Sequence, residues 1–243
     1  MHKNFDKIDI NHDFSEDYKN NIDPDKHNMI LRKWHKILWS KLLPEKSIKL
    51  ELVEKDHGLY YFSEIGEHYL TSDSIIHTYS RQKSISDIIQ KIPTDEINSF
   101  FRIASRIGGY ILFPGNRIGN AQTINGARGF NSKISDRFDL TLECIRLYYN
   151  NIIKINENPL GEVLNRYGSF FELFSSFRGY CDFFLLQDLT ENNYSKINFF
   201  LPFTEFKSNP RPSTVDEYFE YMKNSINFVN KRNHRIKDFS ESI

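Results

Sequence analysis

Six of the chain's eleven glycines fall between Gly108 and Gly129, and Arg106, Arg117 and Arg128 are threaded through or beside them. No acidic residue occurs from there until Asp136. Glycine lets backbone approach a ligand closely, and arginine offers a planar fork of donors that matches phosphate or carboxylate. Asn116, Gln122, Thr123 and Asn125 add neutral hydrogen-bonding groups in the same stretch. The expectation is an anion pocket in which Arg106, Arg117 and Arg128 hold phosphate while Asn116, Thr123 and Asn125 position it. An ordered structural loop is the competing reading, since a buried loop needs donors for its own carbonyls. No Gly-Lys-Ser/Thr follows the glycines and the dinucleotide fingerprint is missing, so neither nucleotide-binding fold is inferred.

Downstream, Asp136, Asp139, Glu143 and Arg146 are spaced three, four and three apart and share one helical face. Turned to solvent, that face needs no further explanation. Turned to the arginines, its carboxylates orient the guanidinium groups, and Glu143, or Asp139, serves as general base or binds a ribose hydroxyl. Arg178 has two readings as well: a four-residue helical pair with Asp182, or a further arginine in the pocket. His35, between two tryptophans, and His77, in a Ser/Thr-rich stretch with Asp73, are the histidines to test as acid or base, each against an ordinary structural role. The eight histidines form no metal-ligand spacing and no Ser or Cys occupies a nucleophile elbow, so no metal site is expected and no cofactor is identified.

Elements able to position these groups can be read along the chain. Residues 1–22 are polar and form an arm; Asp23-Pro24 then caps a helix carrying Ile30, Leu31, Trp34, Ile37 and Leu38. Alternation at Ile48, Leu50 and Leu52, a turn at Asp56-His57-Gly58 and the run Leu59 to Phe62 predict a hairpin, with extended structure also at His68 to Thr71 and Ile75 to Tyr79. A short helix over Ser84 to Lys91 precedes one capped by Thr94. Tyr110 to Phe113 reads as a buried strand feeding a loop that runs to about Ser135, and Ser135 or Asp136 caps the helix that follows. Asn158-Pro159 opens a helix through Phe174, Gly179 interrupts the next apolar run, Ile197 to Phe203 is extended, and Thr214 with Glu217 makes a capping box for the last helix. The resulting class is α+β, one domain over residues 23–243, with a mixed sheet packed by several helices and the glycine/arginine-rich loop at a strand end.

With 243 residues, 39% hydrophobic and 15% aromatic, the chain can bury a sizeable core, so its 21 Phe and 13 Tyr are expected mostly inside. Lys plus Arg equals Asp plus Glu, which removes any global pull toward nucleic acid or an anionic membrane. Cys144 and Cys181 suit buried reduced thiols. No apolar run approaches a membrane span, so the expectation is a soluble cytoplasmic protein. The basic run Lys231 to Lys237 fits a helix C-terminus.

The stretches Tyr110-Ile-Leu-Phe-Pro-Gly-Asn-Arg117, Gln122-Thr-Ile-Asn-Gly-Ala-Arg-Gly129, Asp136-Arg-Phe-Asp-Leu-Thr-Leu-Glu-Cys-Ile-Arg146 and Phe177-Arg-Gly-Tyr-Cys-Asp-Phe-Phe-Leu-Leu-Gln-Asp-Leu189, with Trp34-His-Lys-Ile-Leu-Trp-Ser40, resemble the centre of a family of uncharacterised bacterial proteins. That resemblance covers most of the chain and carries no chemistry with it. From the residues, the expected function is an enzyme acting on a nucleotide or RNA, an ADP-ribosyl transferase or metal-free ribonuclease, in a toxin or phage-defence setting. The alternative is a non-catalytic nucleotide sensor or protein-interaction module.

Overall fold

The computed structural model describes residues 7–20, 22–46, 48, 50, 52–54, 61–63 and 68–243. Its elements are α1 (Ser15–Lys19), α2 (Pro24–His27), α3 (Met29–Trp39), β1 (Leu52–Glu54), β2 (Tyr61–Ser63), β3 (His68–Ser74), α4 (Ser86–Ile89), α5 (Thr94–Ala104), β4 (Tyr110–Pro114), α6 (Ile124–Phe130), α7 (Phe138–Tyr149), α8 (Gly161–Arg166), α9 (Gly168–Glu172), α10 (Phe177–Phe183), β5 (Thr190–Glu191), β6 (Lys196–Ile197) and α11 (Val215–Glu241). The fold is α+β, with one continuous apolar core containing residues from Ile8 to Ile236. Its main sheet runs β1-β2-β3-β4, and β5 pairs β6 separately. Every described pairing is antiparallel, so the expected mixed sheet is corrected. The connection from β3 to β4 carries α4 and α5 and still brings β4 back antiparallel, rather than through the crossover that a parallel neighbour requires. The turn at 56–58 lies outside the described residues.

β4 is buried at all five positions, as an apolar run covered on both faces should be. It pairs with β3 from Leu70↔Pro114 to Ser74↔Tyr110. β2 covers the opposite edge of β3 only as far as Leu70. Beyond it, the Asp25 carboxylate accepts from the Ser72 backbone N–H at 2.8 Å and from the Ser72 hydroxyl, satisfying a donor on that edge. Burial pushes Asp25 up to about 6 despite these donors.

On the other flank, the 27-residue α11 carries a stripe of Tyr218, Tyr221, Met222, Ser225, Phe228, Val229, Arg232, Asn233 and Ile236 against the core. Gly108 is small where it must be: a Cβ there would sit 2.6 Å from the Val229 carbonyl, and its N–H donates to Asn233 Oδ1 at 2.7 Å. Arg232 is fully buried and donates to the carbonyls of Phe184 (3.1 Å), Gly108 (2.8 Å) and Tyr110 (2.6 Å). Lys41 donates to the carbonyls of Asp182 (2.7 Å) and Phe183 (2.9 Å). Two cations therefore cap the C-terminal carbonyls of α10, where the helix dipole favours positive charge. The reading of 231–237 as a run at its own helix C-terminus is corrected, since α11 continues to Glu241 with no basic residue in its last turn.

Several local expectations change for identifiable reasons. Asn28 caps α3 through two backbone N–H groups and splits the helix after Pro24 in two. Ile75 to Tyr79 is not a strand; β3 ends at Ser74. The long loop contains α6, capped by Thr123. The helix foreseen from Asn158 is α8 and α9, joined at Tyr167. Gly179 lies inside α10, where a Cβ would meet the Phe174 carbonyl at 2.1 Å. Extended structure at 197–203 stops at Ile197. Thr214 caps α11 as expected, whereas the Glu217 carboxylate accepts from Ser213 N–H at 2.7 Å. Both cysteines are buried and free, and among the described residues no helix is long and apolar enough to cross a membrane.

Candidate functional site

The strongest concentration of buried charge lies where β3 ends. α6 buries Arg128 completely, between the rings of Phe113 and Phe138 at 5.8 and 5.6 Å from the guanidinium carbon to the ring centroids. Its Nε donates to Thr141 Oγ1 at 3.0 Å, Nη1 donates to Asp73, and Nη2 lies 3.1 Å from Asp136 Oδ1. One guanidinium thus holds two carboxylates from different parts of the chain. Their side chains are 29% exposed while the arginine has none of its surface exposed, so the acids, not the arginine, are presented to a ligand.

Two strained segments carry Asp136 and the neighbours of His77. Tyr79, Ser135 and Asp136 have φ of 57, 44 and 63°, the left-handed region that costs a non-glycine residue about 1 kcal/mol or more. Tyr79 donates its hydroxyl to the Ser135 carbonyl at 2.6 Å and ties the two segments together. Left-handed geometry at Ser135 and Asp136 also explains why neither caps α7, whose N-cap is Arg137 without a side-chain bond.

His77 stands beside the cluster, half-buried. Its Nδ1 accepts from the Tyr79 backbone N–H at 3.0 Å, so the neutral ring carries its proton on Nε2. Burial lowers its titration below the ordinary histidine range; nearby Asp136 opposes that, and Arg211 and Arg128 reinforce it. Asp73 moves the other way, up to about 6, because burial and the neighbouring Asp136 outweigh the stabilising charge and hydrogen bond of Arg128. A carboxyl group that exchanges its proton near pH 6, coupled to Asp136, which in turn acts on a neutral imidazole, is suited to acid–base chemistry.

Arg211 adds a further positive charge that acts on His77 and Tyr79. Its Nη1 donates to Ser84 Oγ at 2.9 Å, and its buried Nε has no partner among the described residues. The preceding residue is fixed from within: Arg137 pairs with fully buried Asp139 at 2.5 and 3.1 Å and donates Nη1 to the Pro210 carbonyl at 2.9 Å. Asp139 also accepts from Phe200 N–H at 2.8 Å.

Of the sequence-predicted residues, Arg128, Asp136 and His77 meet in this cluster, Arg128 as a holder of carboxylates rather than of phosphate. Asp139 is an internal anchor. Glu143 is buried against Arg146 at 2.7 and 2.8 Å, so the shared acidic face is not a solvated one. Arg117 is exposed, and Asn116 offers only its carbonyl to Tyr167, at 2.6 Å. Thr123 caps Gly126, Asn125 is half-buried and Arg106 is half-buried ahead of β4. Arg178 pairs with Asp182 on the surface at 3.5 Å and lies 5.3 Å from the Tyr194 ring centroid. His35 is buried and lowered to about 3 by burial and then by Arg232, which keeps it neutral. Among the described residues no three His, Cys, Asp or Glu gather in metal-ligand geometry. Reasoning from sequence missed Asp73, Asp136 and Arg211 as partners of His77; the spacing Asp73–His77 was the available signal.

A family model matches residues 8–236, nearly the whole described chain, and so decides membership. The chain belongs to the DUF6994 family, a family of unknown function. No curated protein and no solved structure matches it significantly. The DUF6994 match spans every residue of the cluster, from Asp73 to Arg211.

Proposed function

We propose that this chain is an enzyme acting on a nucleotide or RNA, with Asp73, Asp136 and His77 as its reacting groups. The observation that carries this reading is the pair of partly exposed carboxylates meeting at one buried guanidinium, beside an imidazole whose tautomer is set by backbone. Arg128 forms an ion pair with each of the two acids. Asp73, with its proton released near pH 6, is the base that accepts a proton from water or a hydroxyl. His77 Nε2–H donates to an oxygen on which negative charge develops. The electrostatic neutrality of the cluster, with two carboxylates against Arg128 and Arg211, lets an anionic substrate approach.

The test is turnover of a panel of nucleotides, dinucleotides and short RNAs by the purified chain and by Asp73→Asn and Asp136→Asn. Loss of a general base costs about 100-fold or more in rate. A turnover that survives both substitutions in folded protein would exclude these residues. The alternative of a non-catalytic partner-binding module draws support from Phe130, which is 82% exposed beside a 610 Å³ groove lined also by Asn131, Lys133, Ile155 and Arg166. That reading expects Phe130→Ser to abolish partner capture while leaving the turnover panel blank.

A further inference from the structure

We infer that Arg211, and not the arginines of the glycine-rich segment, receives the phosphate group of the ligand. Three observations converge on it. First, its guanidinium is oriented by a bond from Nη1 to Ser84 Oγ at 2.9 Å, which leaves the Nε–Nη2 edge for a ligand. Second, Nε on that edge is buried without a partner among the described residues, a state that costs free energy unless an acceptor arrives. Third, Arg211 acts electrostatically on His77 and Tyr79, so its guanidinium belongs to the same charged neighbourhood as the cluster.

The charge pattern separates Arg211 from the other arginines near the cluster. Arg128 is consumed by Asp73 and Asp136, and Arg137 by Asp139 together with the carbonyls of Pro210 and Leu201. Arg211 has no carboxylate in salt-bridge contact among the described residues and answers to one neutral hydroxyl. A side-on guanidinium edge presents two parallel N–H groups, the geometry that two oxygens of one phosphate accept. Its placement is itself secured from inside, because the buried Arg137–Asp139 pair holds the Pro210 carbonyl one residue earlier. The ligand class is therefore a phosphate monoester or diester, taken as the substrate on which His77 and Asp73 act. In this placement the inference rests on the acid–base reading above; as a binding site it stands without it.

Calorimetric titration with inorganic phosphate, AMP and a short RNA distinguishes the two. The parent chain is expected to bind at least one of these probes, with affinity reduced tenfold or more in Arg211→Gln and partly retained in Arg211→Lys, while Asp73→Asn binds and does not turn over. Should Arg211→Gln lower the melting temperature, Ser84→Ala provides a second variant, which releases the guanidinium without removing it and is expected to weaken binding several-fold. Probe binding that depends on Arg211 in a chain without turnover would keep the phosphate site and remove the acid–base reading. Equal affinity in the parent and Arg211→Gln, or no binding of any probe by the parent, would overturn the inference.

Discussion

Asp73 and Asp25 share an unusual property: both carboxyl groups titrate near 6 in the folded protein, against an ordinary value of 3.8, with burial as the leading cause in each. The sign of the consequence follows from proton linkage. Below the unfolded value both states are protonated and no cost arises. Between about 4 and 6 the folded state holds the extra protons, so stability falls as pH rises through this window, and above it the full cost of the buried charge is present. Acidification from pH 7 to 5 therefore recovers stability through these two groups, opposite to a carboxylate in an ordinary salt bridge. Denaturant titrations at the two pH values should show a smaller acid-dependent gain in Asp73→Asn and in Asp25→Asn than in the parent; an unchanged difference would mean that neither group has the raised titration described.

At the scale of elements, the Tyr79 hydroxyl joins the two strained segments through the Ser135 carbonyl. Tyr79→Phe keeps the ring in the core and removes only its bond to the Ser135 carbonyl at 2.6 Å. The expected loss is about 1 kcal/mol, the net worth of one hydrogen bond, with greater amide exchange over 131–137 as the local signature. If exchange there is unchanged, another contact holds the segment. The same segments show where sequence patterns stop being informative. β4 and α11 were legible because a continuous apolar run and a capped amphipathic stripe are local signals. Left-handed Ser135 and Asp136 were not, because residues that commonly cap helices here adopt a conformation imposed by contacts with Tyr79 and Arg128, 56 and 8 positions away. Arg128 itself stood out by type and surroundings, yet its partners come from β3 and from Asp136, so its role as a bridge between acids could not be read locally.

Over the whole molecule, buried cations decide how helices and sheet fit together. Arg232 reaches from α11 to the end of α10 and to both residues flanking the turn into β4, and it does so without a carboxylate partner among the described residues. Three carbonyls replace its hydration, and its titration is lowered to about 9 by burial, with Tyr180 opposing. Replacing it by methionine removes the charge and fills similar space, but orphans the Gly108, Tyr110 and Phe184 carbonyls in a dry core. At about 1–3 kcal/mol for each unsatisfied buried group, the penalty is expected to exceed any gain from a more apolar side chain. Equilibrium unfolding of Arg232→Met should therefore show a loss of about 3 kcal/mol or more, and the Asp73 cluster, attached through β4 and its partner β3, should loosen with it. Arg232→Met with parent-like stability would show that water can take over the carbonyls, and that α11 is fastened to the sheet by its apolar stripe alone.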